Sequence, residues 1–201
     1  PQTLMGYLEA AKNESSPAIL VNPGTIIKKA FGDVNLNSPL APVILVSEFS
    51  KKGFIYTNNG IRSLLGYSPR YLIDGGFESF FEKFNQADFK IVNENVFRQN
   101  FSVMRSVNTE QSLDFIFSHS YRIKIKDGKY RTMLQRFSLL LSADKKLIGT
   151  IGSITDISMV SNGNQMIHQI ERASSAENTE NEVIYKKYFF HNPEYGDGLG
   201  L

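Results

Sequence analysis

In the second half of the chain, apolar and polar residues alternate with a period of two. Leu113, Phe115, Phe117, Tyr121, Ile123 and Ile125 are interleaved with Asp114, Ser118, Ser120, Arg122 and Lys124. That period predicts a long, half-buried, antiparallel strand. Asp127-Gly128 predicts a hairpin turn and Tyr130 to Leu141 the returning strand. Ala143-Asp144-Lys145-Lys146 predicts a second turn, and Leu147 to Ile157 a third strand. Upstream, Val43-Ile44-Leu45-Val46 reads as a buried strand, Lys51-Lys52-Gly53 as a turn and Phe54-Ile55-Tyr56-Thr57 as its partner. Between these two groups the period changes to three and four. Asn58-Asn59 caps a short helix that ends at Gly66, and Ser68-Pro69 starts another. Phe77, Phe80, Phe81 and Phe84 form a buried helix face. A longer helix from Asp88 to Val107 gathers Phe89, Val92, Val96, Phe97, Phe101, Val103, Met104 and Val107 on one half of its surface. The predicted class is α+β: a five-stranded antiparallel sheet with short helices and one longer helix packed on one face.

The flanks are weaker in pattern. Residues 1–41 hold a short apolar helix (Leu4, Met5, Tyr7, Leu8), followed by punctuation at Pro17, Pro23-Gly24, Gly32 and Ser38-Pro39 that reads as irregular connection. Residues 42–158 form the domain. Residues 159–201 read as a linker and C-terminal extension: Ala173 to Asn181 is polar, and Val183 to Phe190 is apolar and aromatic enough for one more strand.

Composition narrows the chemistry. The chain of 201 residues contains no cysteine, which removes disulfides, thiolate nucleophiles and Cys-ligated metal. A formal net charge of +2 gives no footprint for direct nucleic-acid contact. No apolar run approaches the ~20 residues of a membrane span, so no membrane contact and a cytoplasmic location are expected. Carboxylates are scattered singly, and no Ser/His/Asp or phosphate-cradling motif is readable. The expectation is that the chain is not an enzyme.

Three separated landmarks resemble the PAS family. The first is Asn58-Asn59 followed by Leu64-Leu65-Gly66-Tyr67-Ser68-Pro69. The second is Arg122 with Lys126-Asp127-Gly128-Lys129-Tyr130-Arg131, and the third is Gly149 with Ile154-Thr155-Asp156-Ile157. The resemblance covers roughly residues 42–158. It departs from the family where a His-Pro-x-Asp turn would precede the long helix, here Asn85-Gln86-Ala87-Asp88, and where Thr132 replaces an aromatic. Less specifically, Gly75-Gly76-Phe77 and the tail from Ile184 to Phe190 resemble PAS proteins that continue into a LuxR-type helix-turn-helix. The resemblance implies a PAS sensor of a small-molecule or protein signal, serving a transcriptional output. It also implies a homodimer, with Leu4, Met5, Tyr7 and Leu8 as the candidate interface. Without cysteine, a covalent flavin adduct or a thioester-linked chromophore is excluded. Haem is disfavoured because the long helix carries no His. The cofactor is otherwise unassigned.

Asn93 and Asn100, seven residues apart, point into the apolar stripe of the long helix. A buried amide needs a partner. That partner is either a sheet group or water, or it is a ligand in a cavity lined by Phe97, Phe101, Met104, Phe115, Phe117, Tyr121 and Gln135, residues that by default are core. His119 falls on the inward side of its strand, as a hydrogen-bonded sheet histidine or as a ligand contact. His168, in Met166 to Arg172, sits in a run resembling a kinase phosphoacceptor helix, and His191 carries no signal. Two other classes remain open: a ligand-free interaction or dimerisation module, and a small α+β enzyme.

Overall fold

A computed structural model of the chain describes residues 3–13, 22–36, 38, 41–106, 114–142, 146–161, 163–174 and 180–191. Strands β1 (Val43–Glu48) and β2 (Gly53–Thr57) form the first hairpin. Helices α3 (Gly60–Leu65) and α4 (Pro69–Phe81) follow. Next comes an unbroken run of α5 (Gln86–Ile91), a π-helical turn (Val92–Val96) and α6 (Phe97–Ser106). Strands β3 (Phe115–Lys124), β4 (Tyr130–Leu141) and β5 (Leu147–Asp156) return as a meander, with β5 beside β1. The sequence expectations at Val107, at Leu113 and over 143–145 lie outside the described residues.

The sheet has seven strands and not five, in the order β2-β1-β5-β4-β3-β6-β7. The extra hairpin is β6 (Gln165–Arg172) with β7 (Glu182–Phe190), and β6 pairs with the free edge of β3. The strand expected from Val183 is therefore present, but Met166 to Arg172 is a strand and not a helix. Its burial alternates: Met166, His168 and Ile170 are buried, while Gln165, Ile167 and Gln169 are half-buried. The remaining edge of β3 is closed by the loop before α5, where Asn85 N–H donates to Arg122 O and Lys124 N–H to Lys83 O. An open edge would template aggregation, and along β3 both halves are covered.

The helices do not all lie on one face. Leu8, Phe54, Phe77, Phe80, Phe84, Val92, Phe117, Tyr121, Met133 and Ile154 belong to the main core. Beyond the opposite face of the sheet, Ile44, Val46 and Ile151 pack with Ile27 of a second N-terminal helix, α2 (Pro23–Phe31). Pro23-Gly24 is thus a helix start and not irregular connection. Asn22 accepts a hydrogen bond from Gly24 N–H, and Pro23 occupies the first turn, where its missing N–H costs nothing. Caps are otherwise as read at Gly66 and Ser68. Asn58, however, ties the start of β1 instead of capping a helix. Its Oδ1 accepts from Ile44 N–H at 2.9 Å and its Nδ2 donates to Pro42 O at 3.0 Å.

One buried charge pair anchors the long helix. Asp88 is wholly buried, accepts from Arg122 N–H at 2.7 Å and receives the Arg122 guanidinium at 2.9 and 3.1 Å. Asn85, not Asp88, caps the helix, accepting from Ala87 and Asp88 N–H. His191, at the end of β7, closes on the same pair, its Nε2 3.3 Å from Asp88 Oδ1. Removing one partner of such a pair strands a buried charge, at a cost of roughly 3–5 kcal/mol.

Candidate ligand cavity

Between the helices and the sheet lies a cavity of about 100 Å³. Phe77, Phe80, Phe81 and Phe84 wall one side. Val92, Val96, Phe97, Asn100, Phe101 and Met104 of the long helix form the roof. The floor is sheet: Ser47, Phe54, His119, Gln135, Phe137, Leu139 and Thr150, with Phe49 and Leu147 at the margin. The four-residue spacing that puts Phe97 beside Phe101 also stacks their rings, with centroids 5.7 Å apart.

Helix α1 (Leu4–Asn13) covers the remaining side. Leu4 lines the cavity, Leu8 is buried, and the Tyr7 ring packs among Phe49, Phe97 and Phe101 while its hydroxyl donates to Leu147 O at 3.0 Å. Glu9 pairs with Lys52. Of the four candidate interface residues, Leu4, Tyr7 and Leu8 are thus turned into their own chain's core, and only Met5 is exposed, at 41%. The short helix is drawn inward because the cavity mouth offers its apolar stripe a larger apolar surface than solvent does.

Asn100, His119 and Gln135 are polar side chains that line one part of the cavity, and His168 stands behind them without lining it. His168 on β6 stands opposite His119 on β3, which stands opposite Gln135 on β4. From above, Asn100 meets His168, Oδ1 to Nε2 at 2.8 Å. His119 is 5% exposed and its Nδ1 has no hydrogen-bond partner among the described residues. Burial, then the neighbouring His168, pushes the His119 ring down to about 3; burial, then Lys187, pushes His168 down to about 4. Both rings are neutral at pH 7. The other polar pair, Ser47 and Thr150, is satisfied internally by a 2.7 Å bond between the hydroxyls. Among the described residues, no Asp, Glu, Lys or Arg lines the cavity.

Of the residues proposed from sequence, Phe97, Asn100, Phe101, Met104, His119 and Gln135 converge here, and Asn93, Phe115, Phe117 and Tyr121 do not line the space. The three aromatics are core: Tyr121 is stacked on Phe84 with centroids 4.1 Å apart, Phe117 stacks on Phe137, and Phe115 lies under the Arg172 guanidinium. Burial raises the Tyr121 hydroxyl far above its ordinary value. Asn93 turns instead to α1, accepting from Met5 N–H at 2.9 Å. The cause is the π turn over 92–96, whose wider winding rotates Asn93 away from the angle of Asn100. His168, which holds Asn100 from behind the cavity, is not among the site residues expected from sequence. Its signal was the period of two in Met166, His168 and Ile170, obscured because Ile167 is apolar on the opposite face. Among the described residues no group of three or more His, Cys, Asp or Glu is placed to hold a metal, and no helix is long and apolar enough to cross a membrane.

No protein-family model matches the chain, and no curated protein matches it. Among solved structures it is similar to the N-terminal domain of a diguanylate cyclase with PAS/PAC sensor from Marinobacter aquaeolei (18% identity, TM-score 0.45, covering 59% of this chain and 97% of that one). It is also similar to the PAS domain of a Colwellia psychrerythraea protein (19% identity, TM-score 0.43, 69% and 99%). A third likeness is to a sensory box histidine kinase/response regulator from Burkholderia thailandensis (14% identity, TM-score 0.42, 68% and 84%). By their names, two of these are PAS-bearing proteins and the third is a sensory box histidine kinase/response regulator.

Proposed function

We propose that the chain is a sensory domain of the PAS type, which binds a small molecule beneath its long helix and passes the occupancy of that cavity to the hairpin β6–β7. The observation that carries this reading is the cavity itself: rich in aromatic side chains, with no charged side chain among its described lining residues and a few polar ones, Asn100, His119 and Gln135 among them. Small-molecule sites are mostly apolar with few polar anchors. The Asn100–His168 bond gives the route outward, since it joins the roof of the cavity to the added hairpin. A ligand that prefers one position of the roof shifts the population of that bond. Gly75-Gly76-Phe77 and the strand through Ile184 to Phe190, which resemble LuxR-type regulators in sequence, each have a packing role in this fold. The proposal accordingly names sensing and not a transcriptional output.

A thermal-shift screen of the whole chain against a metabolite library, with native mass spectrometry of the purified protein, tests the reading. A ligand at a hundred times its dissociation constant stabilises by about 2.7 kcal/mol, a rise of roughly 5–10 °C for a domain of this size. Absence of any bound mass and of any shift across the library sinks it. That outcome favours a ligand-free interaction module, the reading to which the exposed apolar residues of β7 (Val183, Ile184, Tyr188 and Phe190) belong.

A further inference from the structure

The cavity restricts its occupant in three independent ways. The first is charge. Every described side chain that lines it is uncharged, and both buried histidines are neutral at pH 7. A carboxylate or phosphate would enter with no cation among the described lining side chains and would lose its hydration, and an ammonium would have only aromatic faces to offset that loss.

The second restriction is size. The cavity of about 100 Å³ is smaller than an engineered apolar cavity of about 150 Å³ that holds benzene, so one six-membered ring fills it with a small movement of flexible Met104. Two stacked aromatic pairs, Phe97 with Phe101 and Phe77 with Phe81, lie along its walls. They give a planar ring both faces and edges to pack on.

The third is polarity. Ser47 and Thr150 satisfy one another and Asn100 is engaged by His168. That leaves the His119 ring, whose Nδ1 has no hydrogen-bond partner among the described residues, with the Gln135 amide directly opposite it on β4 as its polar neighbour in the cavity. A neutral imidazole offers one donor and one acceptor, and an amide offers both. The group that suits such a pair is a single hydroxyl, which also donates and accepts.

We infer that the cavity selects a neutral, phenol-sized aromatic with one hydroxyl, held by His119 and Gln135 and packed between the phenylalanine pairs. The inference rests on the sensor reading and narrows it to a ligand class.

The probes are phenol, toluene, benzoate and benzylamine, titrated into the whole chain at pH 7 and followed by nuclear magnetic resonance shifts of the residues lining the cavity. Phenol binds at least tenfold more tightly than toluene, and benzoate and benzylamine do not bind. His119→Phe and Gln135→Leu each reduce the preference for phenol over toluene several-fold while toluene binding persists, which shows that the variants are folded. Equal affinity for phenol and toluene, or binding of benzoate, overturns the ligand class and leaves the sensor reading standing. Failure of all four probes alongside a library metabolite of other chemistry does the same. Failure of every probe and every library member overturns both.

Discussion

His119 and His168 face each other across β3 and β6, buried and neutral. Their ionisation is depressed in the folded chain relative to an ordinary value of 6.5. Below that value the unfolded chain takes up protons that the folded chain refuses, so stability is fully present above about pH 6.5 and falls as the pH drops toward about 4. Each such histidine costs roughly 1.4 kcal/mol per pH unit in that window. Urea denaturation at pH 7 and at pH 5.5 therefore gives a loss of roughly 2–3 kcal/mol, and His119→Leu removes about half of it. A stability that is flat between those two pH values contradicts the placement of the pair. The inward position of His119 was legible from strand alternation alone. Its partner was not: a histidine on a strand among Met, Ile and Gln reads equally as part of a helix, and only the pairing of β6 with β3 brings the rings together.

Element boundaries that depend on local chemistry were readable. Asp127-Gly128 turns the β3–β4 hairpin, with Gly128 at φ +91° and Asp127 Oδ1 accepting from Lys129 N–H. Gly76 was read only as part of a resemblance, yet it kinks α4 at φ +61°, ψ −159°, a conformation open essentially to glycine. There the chain passes so close to the β1–β2 turn that an added Cβ would lie 2.8 Å from Lys52 O, and Phe77 N–H donates to that same oxygen at 2.8 Å. Gly76→Ala is expected to cost about 1–3 kcal/mol by its shift in urea midpoint. Gly24→Ala, whose Cβ would meet only the Asn22 side chain, Oδ1 at 3.2 Å and Cγ at 3.9 Å, stays within about 1 kcal/mol of the parent. Equal effects from the two would show that the kink is not needed. The π turn on the long helix had no comparable signature. Its residues Val92-Asn93-Glu94-Asn95-Val96 suit an ordinary helix, and nothing in that run marks the wider winding.

For the whole molecule, the sheet divides into a protected centre and an exposed flank. β1 is buried along its length between two apolar clusters, whereas β7 is exposed or half-buried throughout and pairs on one edge only. Local opening follows burial and contact density. Amide hydrogen exchange is therefore expected to be at least about a hundredfold faster in β7 than in β1 and β5, a gap of roughly 3 kcal/mol in opening free energy. Uniform protection across all seven strands would mean that the hairpin is no separate element, and the proposed route for the signal would lose its mobile end.

Periodicity, turn chemistry and helix capping act over a few residues, and they are enough to place β1 to β5 and the amphipathic long helix; of the phenylalanine helix face, Phe84 lies instead past the end of α4, in a bridge to Ile123. The destination of each apolar stripe is a long-range matter. Whether Leu4, Tyr7 and Leu8 meet a second copy or their own chain, whether α2 covers the second face, and whether Met166 to Arg172 extends the sheet are settled by which apolar surface lies within reach after folding. The same holds for the cavity. Alternation puts His119 on the inner face, but its grouping with Gln135, Asn100 and His168 depends on strand register and helix winding, which a linear pattern does not encode.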